Sequence, residues 1–203
     1  MRKLDHPNVI PECYVDTSLM QHLLSGTVNH QMGCTKVISS LNKAFADRFA
    51  IGIIDLDRQQ HRMDGYLGEC DVLAETRHLT LLRHKARPQF LITVNPAIDK
   101  FILDNAVEYG ISMEDFALPT DFKQFTAVTK QNTSNNDSRF IKLFCAMSEV
   151  PEFISLKVTL KYLLAAQYKA DNDIAKQFFT GTPGKYLEVK KYLRKEKSQL
   201  KKI

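Results

Sequence analysis

The chain of 203 residues contains no tryptophan, only four cysteines, and no apolar stretch near the roughly 18 residues needed to span a bilayer. Its start, MRKLDHPNVIPE, has no apolar run of signal-peptide length behind Arg2 and Lys3. These absences predict a soluble, cytoplasmic protein. Cys13, Cys34, Cys70 and Cys145 are scattered without a C-x-x-C pair, which argues against a disulfide framework or a zinc ribbon. There is no Walker loop, no GxGxxG, no G-x-S-x-G and no H-E-x-x-H, so nucleotide-driven, serine-hydrolase and zinc-protease chemistries find no support. No internal repeat is present, and no Gly/Ser/Pro-rich spacer divides the chain.

What is present is an ordinary globular composition, 44% hydrophobic and 25% charged, with 12 Phe and 7 Tyr to fill a core. The formal charge of +5 is unevenly distributed. Residues 182–203 hold eight basic side chains, among them Lys185, Lys190, Lys191, Arg194 and Lys195, against Glu188 and Glu196, a local net of +6. The rest of the chain carries −1. The tail is therefore the candidate nucleic-acid contact, since each neutralised phosphate adds salt-dependent affinity. The alternative is a solvated end packed loosely on the core.

Short apolar runs alternate with helical patterns through residue 110, the signature of βαβ units around a buried sheet. A first strand is expected at 8–10 or 13–15, and helices at 18–24 and 35–48, the latter with Val37, Ile38, Leu41, Ala44 and Phe45 on one face. Phe49 to Ile54 reads as a central strand covered on both faces. A helix is expected over 69–77, strands over 78–83 and 89–94, and a helix from Pro96 to Tyr109 that Gly110 ends. The remainder reads as helical over 121–130, 138–147 and 151–168. The expected architecture is an α/β core over 1–110, a helical extension of the same domain over 111–181, and the basic tail 182–203.

The central strand ends in Asp55-Leu56-Asp57. Period-2 geometry sends both carboxylates to one side, at the strand edge where open α/β sheets bind ligands. Two such acids can share a hard cation such as Mg²⁺ or Mn²⁺. They can equally cap the turn that follows. Lys85, in the basic turn His84 to Pro88, and Lys130, at the end of the 121–130 helix, are the candidate cations to steady a reacting phosphate. His30 lies in the loop Asn29 to Gly33, where Gly33 would allow close backbone approach to a phosphate.

Glu12-Cys13-Tyr14-Val15-Asp16 places two further acids four residues apart after the first candidate strand. Strand, E-x-x-x-D, two helices and a strand ending in D-x-D is an order that resembles the Toprim family, the nucleotidyl-transfer and hydrolysis domain of topoisomerases, primases and OLD-like phage-defence nucleases. The resemblance covers residues 8–105. Asn95 to Leu103 is similar to the helix start that carries a further acid in OLD-like members, a position held here by Asp99. The family's glycine after the glutamate is Cys13 here, and its later glutamate is Asp99. The resemblance implies a Toprim-like core. It also implies Mg²⁺ or Mn²⁺ held by Glu12, Asp16, Asp55, Asp57 and Asp99, with phosphodiester hydrolysis as the activity. DNA or RNA would be the substrate, and a companion ATPase or sensor protein a partner. The competing expectation is a non-catalytic α/β scaffold that binds nucleic acid or a partner protein through its helical half and tail.

Overall fold

The computed structural model describes residues 3–56, 64–131 and 137–181. Five strands form one mixed open sheet in the order β1-β2-β5-β4-β3: β1 (Val9–Pro11), β2 (Ala50–Asp55), β3 (Cys70–Glu75), β4 (Leu79–His84) and β5 (Gln89–Val94). β1, β2 and β5 run parallel, with Pro11 opposite Ile53 and Asp55 opposite Val94. β4 is antiparallel to both β5 and β3. The α/β expectation therefore holds, with two antiparallel strands added to a parallel core. β1 is an edge strand, which is why Pro11 can lack an N–H without disrupting a ladder.

Among the described residues eight helices surround the sheet: α1 (Tyr14–Leu24), α2 (Cys34–Asn42), α3 (Asp64–Gly68), α4 (Ile98–Glu108), α5 (Phe122–Thr129), α6 (Ser138–Ala146), α7 (Pro151–Ala166) and α8 (Asn172–Thr180). Alternation along β2 sends Ile51 and Ile53 into the larger core, shared with α1, α4 and the C-terminal helices. Ala50 and Ile54 face a smaller core with Val37, Ile38 and Leu41 of α2. Gly52 sits on that side, and a Cβ there would come within 2.8 Å of Leu91 and 3.0 Å of Leu41. Glycine is thus what lets α2 lie close on the sheet. The helical third is continuous with the larger core: Phe153 of α7 stacks on Phe101 of α4 with centroids 5.0 Å apart and planes within 10°.

Two departures from the sequence expectation have clear causes. The stretch expected as a helix over 69–77 is strand β3, the outer edge of the sheet. Pairing with β4 and a bulge between Val72 and Ala74 break its alternation, so local pattern did not reveal the strand. The helix expected from Ser18 begins at Tyr14, because Cys13 caps it with both halves of a capping box: its sulfur accepts from the Asp16 N–H, and the Asp16 carboxylate accepts from the Cys13 N–H at 3.1 Å. The cap pulls Val15 into the helix, which settles the first strand on Val9–Pro11.

Glu152, in the first turn of α7, locks the helical third to the sheet. It accepts the His78 N–H at 3.0 Å and the Asn105 side-chain N–H at 3.0 Å, and also meets the Thr76 hydroxyl and, at 2.6 Å, the His78 Nδ1. The other His78 nitrogen lies 3.2 Å from Asp104. One carboxylate thus joins the β3–β4 turn, α4 and α7. Among the described residues no helix is long and apolar enough to cross a membrane.

Candidate functional site at the carboxyl edge of the sheet

The carboxyl ends of β1 and β2 and the N-terminus of α4 meet at one edge of the sheet. Glu12 follows β1, Asp55 ends β2, and Asp99 lies in the first turn of α4. All three line a cleft of about 790 Å³ whose other wall is α5, ending in Lys130. Residues 43 apart in the chain, Glu12 and Asp55, are joined directly: the Asp55 N–H donates to Glu12 Oε2 at 3.0 Å. Asp55 Oδ1 in turn accepts the Ile98 N–H at 2.9 Å, and so caps α4, whose own flanking residue Ala97 supplies no side-chain cap. The acid that ends β2 therefore caps the N-terminus of a helix distant in the chain.

Asp16 stands behind this layer. It is 0% exposed, its Oδ2 is used in the α1 cap, and its Oδ1 is buried with no hydrogen-bond partner among the described residues. Burial raises its pKa from 3.8 to about 7. The hydrogen bonds with Cys13 act against this rise, while the charges of Glu12 and Asp99 add to it. Asp55 is also pushed well above the usual carboxylate range, by burial first and then by the charges of Asp16 and Glu12, with the Ile98 N–H partly offsetting them. Acids that raise each other's pKa in this way are, among the described residues, short of compensating positive charge.

On the β1 side, residues 29–33 run beside the strand, with the Asn29, Gln31 and Gly33 N–H groups donating to the carbonyls of Val9, Pro11 and Glu12. Gly33 has φ +88°, and a Cβ there would meet nothing within 4 Å, so its backbone is open to the cleft it lines. The tautomer of His30 follows from its neighbours. Thr17 has a single hydroxyl proton and gives it to the Cys13 carbonyl at 2.7 Å, so its oxygen accepts from His30 Nδ1–H at 2.8 Å. The lone pair is left on Nε2, which is buried without a partner among the described residues. Burial lowers the His30 pKa, and its ring stacks on Tyr14 at 4.7 Å.

The structure thus brings together Glu12, Asp55, Asp99 and Lys130, with Asp16 buried behind them. Lys85 is not among them. It lies beyond the far end of β4, at the opposite edge of the sheet, where it donates to the Gly68 carbonyl at 3.1 Å and pairs with Asp71 at 3.7 Å. The hairpin causes this: β4 runs antiparallel to β5, so its end points away from the carboxyl edge. Asp57 and the tail residues Lys185, Lys190, Lys191, Arg194 and Lys195 lie outside the described residues. Among the described residues no group of three or more His, Cys, Asp or Glu side chains is arranged to hold a metal ion.

Sequence reasoning passed over Tyr14, Met32, Phe122 and Thr126, which also line the cleft. The signal for two of them was present: Phe122, Thr126 and Lys130 recur every four residues, one helical face of α5. A second cavity, of about 870 Å³, opens at the amino edge of the sheet between Phe45, Phe49 and Tyr168. Its one acid, Asp5, accepts from the N–H and hydroxyl of Thr27, so size alone does not select the site. No family model matches the chain, and neither a curated protein nor a solved structure is found to match it.

Proposed function

We propose that the protein is a divalent-cation-dependent phosphodiester hydrolase with a Toprim-like core, acting on nucleic acid at the cleft of Glu12, Asp55 and Asp99. The observation that carries this reading is the convergence of three acids from chain-distant elements on one cleft, with Asp16 and Asp55 held toward their protonated forms by burial and mutual repulsion.

The donors fit a hard cation in kind, since all are carboxylate oxygens and Asp16 Oδ1 is buried without a partner among the described residues. Glu12 and Asp55 would hold such an ion, and it would supply neutralisation of phosphodiester charge. The chain's own groups supply the rest. The Ile98 N–H fixes the Asp55 carboxylate, and the Asp55 N–H fixes Glu12, so neither acid reorients as substrate arrives. Lys130, exposed on the α5 wall, would pair with a non-bridging phosphate oxygen, and the open backbone at Gly33 admits the phosphate from the other side.

The expected outcome is Mn²⁺-dependent cleavage of plasmid or single-stranded DNA, reduced about 10²–10³-fold by Asp55→Asn, as for loss of one preorganised electrostatic contact. The second reading, a non-catalytic scaffold, is favoured by the absence of a three-ligand group among the described residues and by the capping roles of Asp16 and Asp55. Wild-type protein inert with every metal and substrate tested would select it.

A further inference from the structure

The walls of the cleft differ in character from its acidic floor. Phe122 is 48% exposed and Met32 63% exposed, large apolar side chains that folding leaves in water, and both line the cleft. Tyr14 lines it too, its ring already stacked on His30. The hydroxyl oxygen of Thr126, one turn along from Phe122, is buried with no hydrogen-bond partner among the described residues. Lys130 completes this face of α5. At 1.5 Å per residue it lies about 12 Å along the axis from Phe122. One helical face thus presents a ring and an ammonium beside the acids, with the buried hydroxyl of Thr126 between them.

Continuous duplex is held chiefly through its phosphates, by surfaces that neutralise many of them. This cleft is built otherwise: its described lining residues comprise one cation, three acids, and exposed aromatic and thioether side chains. Such walls suit bases with free faces, which stack on aromatic side chains regardless of their identity. We infer that the cleft takes single-stranded nucleic acid, with α5 as its track: a base stacks on Phe122, and a phosphate pairs with Lys130. The inference rests on the hydrolase reading of the same cleft and names its substrate class.

The test is fluorescence anisotropy of a labelled DNA strand about 15 nucleotides long, within the roughly 4–16 nucleotides that strand-binding modules cover. It is run alone and annealed to its complement, in EDTA so that nothing is cut, with Mn²⁺ calorimetry on the same full-length protein. The single strand is expected to bind at least about tenfold tighter than the duplex. Phe122→Ala is expected to weaken single-strand binding by about tenfold, in line with the loss of one stacked base, and Phe122→Tyr to retain it. An unfolding curve confirms that each variant is native. Equal or tighter duplex binding, or unchanged strand affinity in Phe122→Ala, overturns the inference. Mn²⁺ binding without strand preference overturns it while sparing the hydrolase reading. Strand preference without Mn²⁺ binding overturns the hydrolase reading and supports the strand track.

Discussion

Asp16 shows how one carboxylate can serve two purposes that pull against each other. Its Oδ2 accepts the Cys13 N–H and fixes the start of α1, directly after Glu12, yet the whole side chain is excluded from water beside other acids. Its folded pKa of about 7 stands above the unfolded 3.8, so the native state binds the proton more tightly. By linkage, the stabilisation from this proton is complete below the unfolded value and disappears as pH rises toward 7. The shift corresponds to on the order of 4 kcal/mol, shared with the acids it is coupled to. Asp16→Asn keeps an acceptor for the Cys13 N–H and removes the titration. Urea denaturation should therefore find the variant a few kcal/mol more stable than wild type at pH 8, with little difference at pH 4. Parallel stability profiles across that range would show that the Asp16 proton plays no such part.

At the scale of elements, the site is assembled by β1, β2 and α4 on one side and α5 on the other, and much of this was legible. β2 and β5 are apolar runs buried on both faces, identified by their short length and the polar residues that bound them, and α4 is bounded by Pro96 and Gly110. Asp55 was marked out because an acid directly after a buried strand lies at the carboxyl edge of an open α/β sheet, and Glu12 and Asp99 through the resemblance of their motifs to the Toprim family. Lys85 was misplaced for a related reason: the sequence shows a basic turn between two strands but does not say which edge of the sheet the turn occupies. β3 was missed because its apolar residues answer to β4 and α8 and not to each other. The spacing of Phe122, Thr126 and Lys130 marks one face of α5 but does not separate a binding wall from a solvated surface, and Met32 lies in a loop with no periodicity to read. The close seating of α2 on β2 is a property of this scale, set by Gly52 beneath Val37, Leu41 and Leu91. Gly52→Val should cost about 1–3 kcal/mol by overpacking, read as a lower denaturation midpoint with an unchanged slope. A variant as stable as wild type would mean that the smaller core yields without strain.

For the whole molecule, two groups of acids set opposite limits on stability. Burial pushes Glu152 up, but hydrogen bonds from Thr76, Asn105 and His78 outweigh it and leave the pKa below 4.5; contacts with Lys100 and His78 likewise outweigh burial at Asp104. These acids stabilise the fold above their unfolded values, and that contribution is lost as pH falls through their lowered folded values. Asp16 and Asp55 act in the opposite sense, and their contribution is lost as pH rises toward neutrality and beyond. The fold should therefore be most stable in mildly acidic solution, with the C-terminal helices held by Glu152 and with Asp16 and Asp55 still protonated. A divalent cation changes only the second limit. It competes with protons for Asp55 and for Asp16 behind it, so it binds weakly when they are protonated and stabilises the native state when they are not. Mn²⁺ at a hundred times its dissociation constant should add about 2.7 kcal/mol at pH 8 and almost nothing at pH 5. Thermal melts with Mn²⁺ and with EDTA at both values measure this. An equal Mn²⁺ effect at the two pH values would place the ion elsewhere, since Asp16 and Asp55 are the described carboxylates that burial and neighbouring acids push upward.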